Sequence, residues 1–151
     1  MSRRAALAVL VLLAPAALLP AHADVRSDLA DAAATYESCM AEAVQTVVMT
    51  GCSDAALTVA DNALNVAYKA AVAGLSTRTG DPYEDDANAE TLARLKAAQR
   101  AWIPFRDANC LLQAAQMLGG TGENQLYTDC LYVETAARAA AIEEQFNPSD
   151  M

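Results

Sequence analysis

The residues of this chain that could do chemistry fall into three groups. Four cysteines stand at Cys39, Cys52, Cys110 and Cys130. Four carboxylates crowd together at Asp81, Glu84, Asp85 and Asp86, with Tyr83 among them. Gln99, the sole tryptophan Trp102, and Arg106 recur with Leu95, Ile103 and Cys110 at steps of three and four, which puts them on one helical stripe. Each group excludes more than it offers. The cysteines have no C-x-x-C spacing, and the one histidine, His22, lies in a segment expected to be removed, so no zinc site is expected. The same lack of histidine excludes Ser-His-Asp and Cys-His catalysis. A glycosidase needs two carboxylates about 5–10 Å apart in a cleft, and no pair among the 19 acids is marked out. Gly119-Gly-Thr-Gly122 follows no strand and lacks G-K-[ST], so it reads as a helix end and not a phosphate loop. No catalytic residue and no cofactor are expected.

What remains is binding and structural chemistry. An even number of cysteines in a small exported chain reads as two disulfides, with three possible connectivities. Cys39–Cys52 and Cys110–Cys130 are preferred, because each closes one short helix-to-helix connection. Each loop is worth about 3 kcal/mol in the chain-entropy model. A polar group on a buried stripe needs partners, since an unpaired one costs roughly 1–3 kcal/mol. The Trp102 helix is therefore expected to hold a polar network with the indole packed around it. Arg106 and Asp107 are adjacent, so they point in different directions on a helix and are not an obvious pair. Arg106 is expected to meet a carboxylate or carbonyl on another helix, and Arg100 to be an exposed cation. The acids at Asp81–Asp86 admit three readings: a calcium loop, though EF-hand order is absent; an acidic finger for a cationic partner; or a solvated loop with acids at a helix start.

The elements that position these groups follow from pattern and punctuation. Arg3 and Arg4, the apolar run Ala5–Leu19 and the A-x-A site Ala21-His22-Ala23 read as a signal peptide over residues 1–23. Its cleavage leaves one domain at 24–151, periplasmic or secreted. The apolar run is too short to span a bilayer comfortably, so no stable membrane insertion is expected afterwards. No cysteine near the junction offers a lipid anchor. A first helix is expected over Val25–Val48, closed by Gly51. A second starts at the N-caps Ser53 or Asp54 and ends near Leu75, with Leu57, Ala60, Leu64, Ala67, Tyr68 and Ala71 on its stripe. Asn65 lies beside that stripe, either solvated or reaching Gln99 or Arg106. After the polar break Ser76–Asn88, a third helix starts near Asn88, and Pro104 kinks or splits it. A fourth runs from about Glu123 to Phe146, with Glu134 and Arg138 as a surface i,i+4 pair. No strand period is evident. The reading is an all-α, single-domain helical bundle of about four helices, stapled by two disulfides.

Charge narrows the partner. The chain has 10 Lys+Arg and 19 Asp+Glu. Loss of Arg3 and Arg4 leaves 8 basic residues against 19 acids, a net of about −11. Such a body repels nucleic acid and anionic membranes and favours cationic partners.

Leu95-Lys96, Ala98-Gln-Arg-Ala-Trp-Ile103, Phe105-Arg-Asp-Ala108 and Cys110 resemble the signature of the small envelope proteins called LprI-type lysozyme inhibitors. Cys39, Cys52, Leu64-Asn65, Tyr68, Gly119-Gly120-Thr121, Cys130, Thr135 and Arg138 agree with it, so the likeness spans about Tyr36 to Ile142. It favours Asn65 as a partner of the Trp102 helix and sets Asn65, Tyr68, Gln99, Trp102, Arg106 and Asp107 apart as a structural motif. It implies a non-enzymatic protein that binds and blocks lysozyme. Asp81, Glu84, Asp85 and Asp86 would steer it toward a cationic enzyme, and Arg100 would be a further contact. The competing function is an envelope scaffold or ligand-binding module with no lysozyme target. The oligomeric state is left open.

Overall fold

A computed structural model describes residues 24–147, so the expected signal peptide lies outside the described residues. Four long helices follow one another: α1 Val25–Glu42, α2 Thr46–Ser76, α3 Pro82–Ala114 and α4 Gly122–Phe146, with a 3-10 turn Ala115–Met117 after α3. No strand occurs among the described residues. The Asp24 carboxylate caps α1 by accepting from the backbone N–H of Arg26 and Ser27. Asp81 does the same for α3 through Tyr83 and Glu84, and Pro82 occupies the first turn, where its missing N–H costs nothing.

Three boundaries differ from the sequence expectation. The first turn falls at Ala43–Gln45, not at Gly51, which sits inside α2. Ser53, expected as an N-cap, is fully buried within α2, and its hydroxyl bonds back to the Met49 carbonyl at 3.2 Å. The earlier turn leaves Cys39 on the last turns of α1 and Cys52 on the first turns of α2, so the antiparallel helices bring the two thiols together, and they are bonded. Cys110 and Cys130 bracket the α3–α4 connection in the same way and form the second disulfide. α3 begins at Pro82, a turn and a half before Asn88, because Asp81-Pro82 is itself a cap-and-start signal. It also runs unbroken through Pro104, which is exposed. Proline leaves the Arg100 carbonyl without its helical donor, and the helix continues on either side.

The core lies between α2 and α4. Ala56, Ala60, Ala63, Ala67 and Ala71 of α2 are all buried, facing Thr128, Tyr132, Thr135, Ala139 and Ile142 of α4. Small side chains let two helix backbones approach closely. The two helices run parallel: Ser53 meets Asp129 near their starts, and Asn147 donates to the Ala67 carbonyl at 3.3 Å near their ends. α1 and α3 flank this pair, antiparallel to it, and do not touch each other.

α3 is the loosely packed member. Of its 33 residues, only Leu95, Cys110 and Ala114 are buried. Ile103, Phe105, Leu111 and Leu112 are exposed. Its attachment to α4 is correspondingly polar and covalent. No described helix is long and apolar enough to cross a membrane.

Candidate functional site

The stripe on α3 faces α4 on one side and a groove on the other. Toward α4, three hydrogen bonds join the helices between Gln99 and Asn109 of α3. Arg138 Nε donates to Gln99 Oε1 at 3.0 Å, Arg106 Nη1 donates to Thr135 Oγ1 at 3.0 Å, and Asn109 Nδ2 donates to Glu134 Oε1 at 3.3 Å. The Cys110–Cys130 bond closes the row. Trp102 sits among these groups, packed against the core beside Leu64 and Leu95. The Arg106 guanidinium lies 5.0 Å from its ring centroid, and that of Arg138 5.9 Å. A cation over an indole is worth about 0.5–1 kcal/mol when exposed and more when desolvated. The polar network expected of this helix is therefore present.

Its membership departs from expectation in three places. Arg106 does pair with its neighbour: Nε donates to Asp107 Oδ1 at 2.9 Å, and Nη2 lies 2.8 Å from the same oxygen. The arginine stem is long enough to fold back along its own helix and present the fork side-on, which a spacing argument from Cβ directions misses. Asn65 is exposed and makes no hydrogen bond to Gln99 or Arg106. Arg138 leaves Glu134 for Gln99 and Trp102, because a partner on the facing helix competes with the surface pair.

Toward α2 the stripe lines a groove with a volume of about 440 Å³. Leu64, Tyr68, Trp102 and Ile103 supply its apolar wall, and Asn65 and Gln99 its amides. Lys96, Arg100 and Arg106 bring positive charge, and Asp61 is the one carboxylate lining it among the described residues. Gln99, Trp102 and Arg106 are thus half-buried, shared between the α3–α4 junction and an open face. With Asp61 as its one lining carboxylate among the described residues, the groove holds no carboxylate pair of the kind glycoside cleavage needs.

The acids at Asp81, Glu84, Asp85 and Asp86 form no loop; they occupy the cap and first turns of α3. Asp81 is the cap. Asp85 accepts from the Thr79 backbone N–H at 2.8 Å and lies 3.6 Å from Arg78. Glu84 and Asp86 have no side-chain bond among the described residues and are exposed. With 1.5 Å rise per residue, Asp86 stands about 15 Å along the helix from Lys96, so the acids and the groove are separate features. No three potential metal ligands converge among the described residues.

One polar cluster has no counterpart in the sequence reading. Tyr36 of α1 donates a hydrogen bond to Asp129 of α4, and the Ser53 hydroxyl of α2, whose one proton is shared with the Met49 carbonyl, lies 3.3 Å from the same carboxylate oxygen. The Tyr36 and Tyr132 rings sit 5.0 Å apart. Burial first, then the Asp129 carboxylate, pushes the Tyr36 hydroxyl up to about 12. Burial also raises Tyr132. The three residues that meet lie on three helices and share no motif. The unusual placement of an acid next to Cys130 on the core side of α4 was the available signal.

Comparison with known proteins gives three results. A family model described as Lysozyme inhibitor LprI matches residues 38–142. An uncharacterized protein of Rhizobium meliloti (strain 1021) is 36% identical over 104 residues, covering 68% of this chain and 75% of the relative. No solved structure matches.

Proposed function

The chain belongs to the LprI family, and from that premise we propose that it is a non-enzymatic, exported protein that binds and inhibits a lysozyme. The family match carries the reading. Charge and architecture support it. A chain with 19 acids and 10 basic residues is drawn to a cationic enzyme, and lysozymes are commonly cationic. The acids Asp24, Asp28, Asp81, Glu84, Asp85 and Asp86 collect at one end of the bundle, where α1 and α3 both begin. Glu84 and Asp86, free of structural duty, are the groups that steer. In this reading residues 1–23 direct export and are removed, and the mature domain works in the periplasm or outside the cell. The two disulfides suit that oxidising setting.

The test is direct binding of purified protein to an immobilised cationic lysozyme at two ionic strengths. Association that is fast at low salt and falls steeply as salt rises supports the reading. Absence of binding to several lysozymes at micromolar protein moves the function to the alternative, a ligand-binding envelope module. The groove between α2 and α3 is the observation that favours that second reading.

A further inference from the structure

We propose that the α2–α3 groove is a binding site for a small ligand bearing a carboxylate, its acid group seated on Arg106 and drawn in by Lys96 and Arg100. This inference does not depend on a lysozyme target.

The charge of the groove runs against that of the molecule. In a chain where acids outnumber basic residues 19 to 10, three cations and one acid line this cavity. Lys96 and Arg100 sit one turn apart on α3, exposed, with no ion pair among the described residues. Arg106 lies deeper, its side chain 16% exposed.

Arg106 is both rigid and unfinished. Its guanidinium carries five N–H donors. Nε and Nη2 each direct one at Asp107, and Nη1 directs one at Thr135. One N–H remains on each terminal nitrogen, so the guanidinium keeps two charge-assisted donors for a carboxylate. The side chain is held against Trp102 and two oxygens, so its rotamer freedom is already lost before any ligand arrives. Asp61 lies 3.9 Å from Nη1, beyond hydrogen-bond reach, and its side chain is 52% exposed. It is attracted to the position without filling it and can turn away to water.

The remaining walls fit an organic body. Tyr68, Ile103 and Leu64 offer apolar contact, while Asn65 and Gln99 offer amides on the same face. A volume of about 440 Å³ suits a ligand the size of one sugar or a short peptide end. An acidic sugar and a peptide carboxylate present the same group to Arg106, and experiment separates them.

Trp102 is the only tryptophan and lies in the groove, so its fluorescence reports occupancy. The protein is titrated at constant ionic strength with glucuronate and with N-acetylalanine, each beside its neutral counterpart, glucose or N-acetylalanine amide. The expected result is a saturable change with at least one acid, and at least about tenfold weaker binding of its neutral counterpart. The acid that saturates identifies the source of the carboxylate. The double variant K96A/R100A, which removes two exposed side chains without structural partners, is expected to weaken binding about tenfold with an unchanged circular dichroism spectrum. D61N, which removes a competing carboxylate, is expected to tighten it several-fold. The proposal is overturned if neither acid saturates by about 10 mM, if the neutral counterparts bind equally well, or if both variants bind as the parent does.

Discussion

Arg106 shows how much one side chain is asked to do. It ties α3 to α4 through Thr135, folds back on Asp107, covers Trp102 and still faces the groove. Thr135 is fully buried, so replacing its hydroxyl by a methyl in Thr135→Val leaves an Arg106 donor without an acceptor. The expected loss is about 1–3 kcal/mol of stability, read by urea denaturation, whereas Thr135→Ser keeps the bond and most of the stability. Tyr36 makes a different test. Its hydroxyl titrates near 10 unfolded and about 12 folded, raised by burial and by Asp129. The folded state therefore holds that proton more tightly. The associated stability is complete below pH 10 and is lost as pH rises from 10 to 12. Thermal unfolding followed across that window is expected to show a steeper fall for the parent than for Tyr36→Phe. The α3 half of these groups was legible in the sequence, because steps of three and four put Gln99, Trp102 and Arg106 on one stripe. Their partners were not. The family resemblance singled out Thr135 and Arg138 without saying what they touch, and Asp61 and the Tyr36–Asp129 pair meet only through tertiary packing, which no local spacing encodes.

At the scale of elements, the helix count and type followed from periodicity, but the boundaries followed from competing local signals. Gly51 reads as the first turn, yet the turn falls at Ala43–Gln45 and α2 runs through the glycine, packing its alanine stripe on α4. A glycine in a helix costs only about 1 kcal/mol relative to alanine, too little to overrule a packed face. Pro104 likewise reads as a strong breaker, yet α3 continues through it. α3 is the element on which stability and binding meet. It buries few apolar residues and is mounted on α4 by three hydrogen bonds and Cys110–Cys130. Local stability follows buried apolar contact. Amide hydrogen exchange is expected to protect α2 and α4 most and α3 least among the long helices. Removing the second disulfide by Cys110→Ala with Cys130→Ala is expected to cost about 3 kcal/mol by loop entropy and to raise exchange in α3 ahead of the α2–α4 pair. Loss of protection spread evenly over all four helices would contradict this assignment.

The whole molecule is polarised. Acids gather where α1 and α3 begin, and Val44, Val47, Leu112 and Leu118 are exposed around the turns at the other end. Between them lies a cationic groove in an otherwise acidic body. Long-range charge governs encounter more than grip, so Glu84→Gln with Asp86→Asn is expected to slow association with a cationic lysozyme at low salt and leave dissociation unchanged. Surface plasmon resonance separates the two rates. The account rests on the chain acting by binding an enzyme without turning over a substrate of its own. Lysozyme-catalysed clearing of a turbid cell-wall suspension, with and without purified protein at low and high salt, measures that most directly. Dose-dependent slowing of clearing that weakens as salt screens the charges is the predicted result. Unchanged clearing with several lysozymes at micromolar protein and low salt would contradict it.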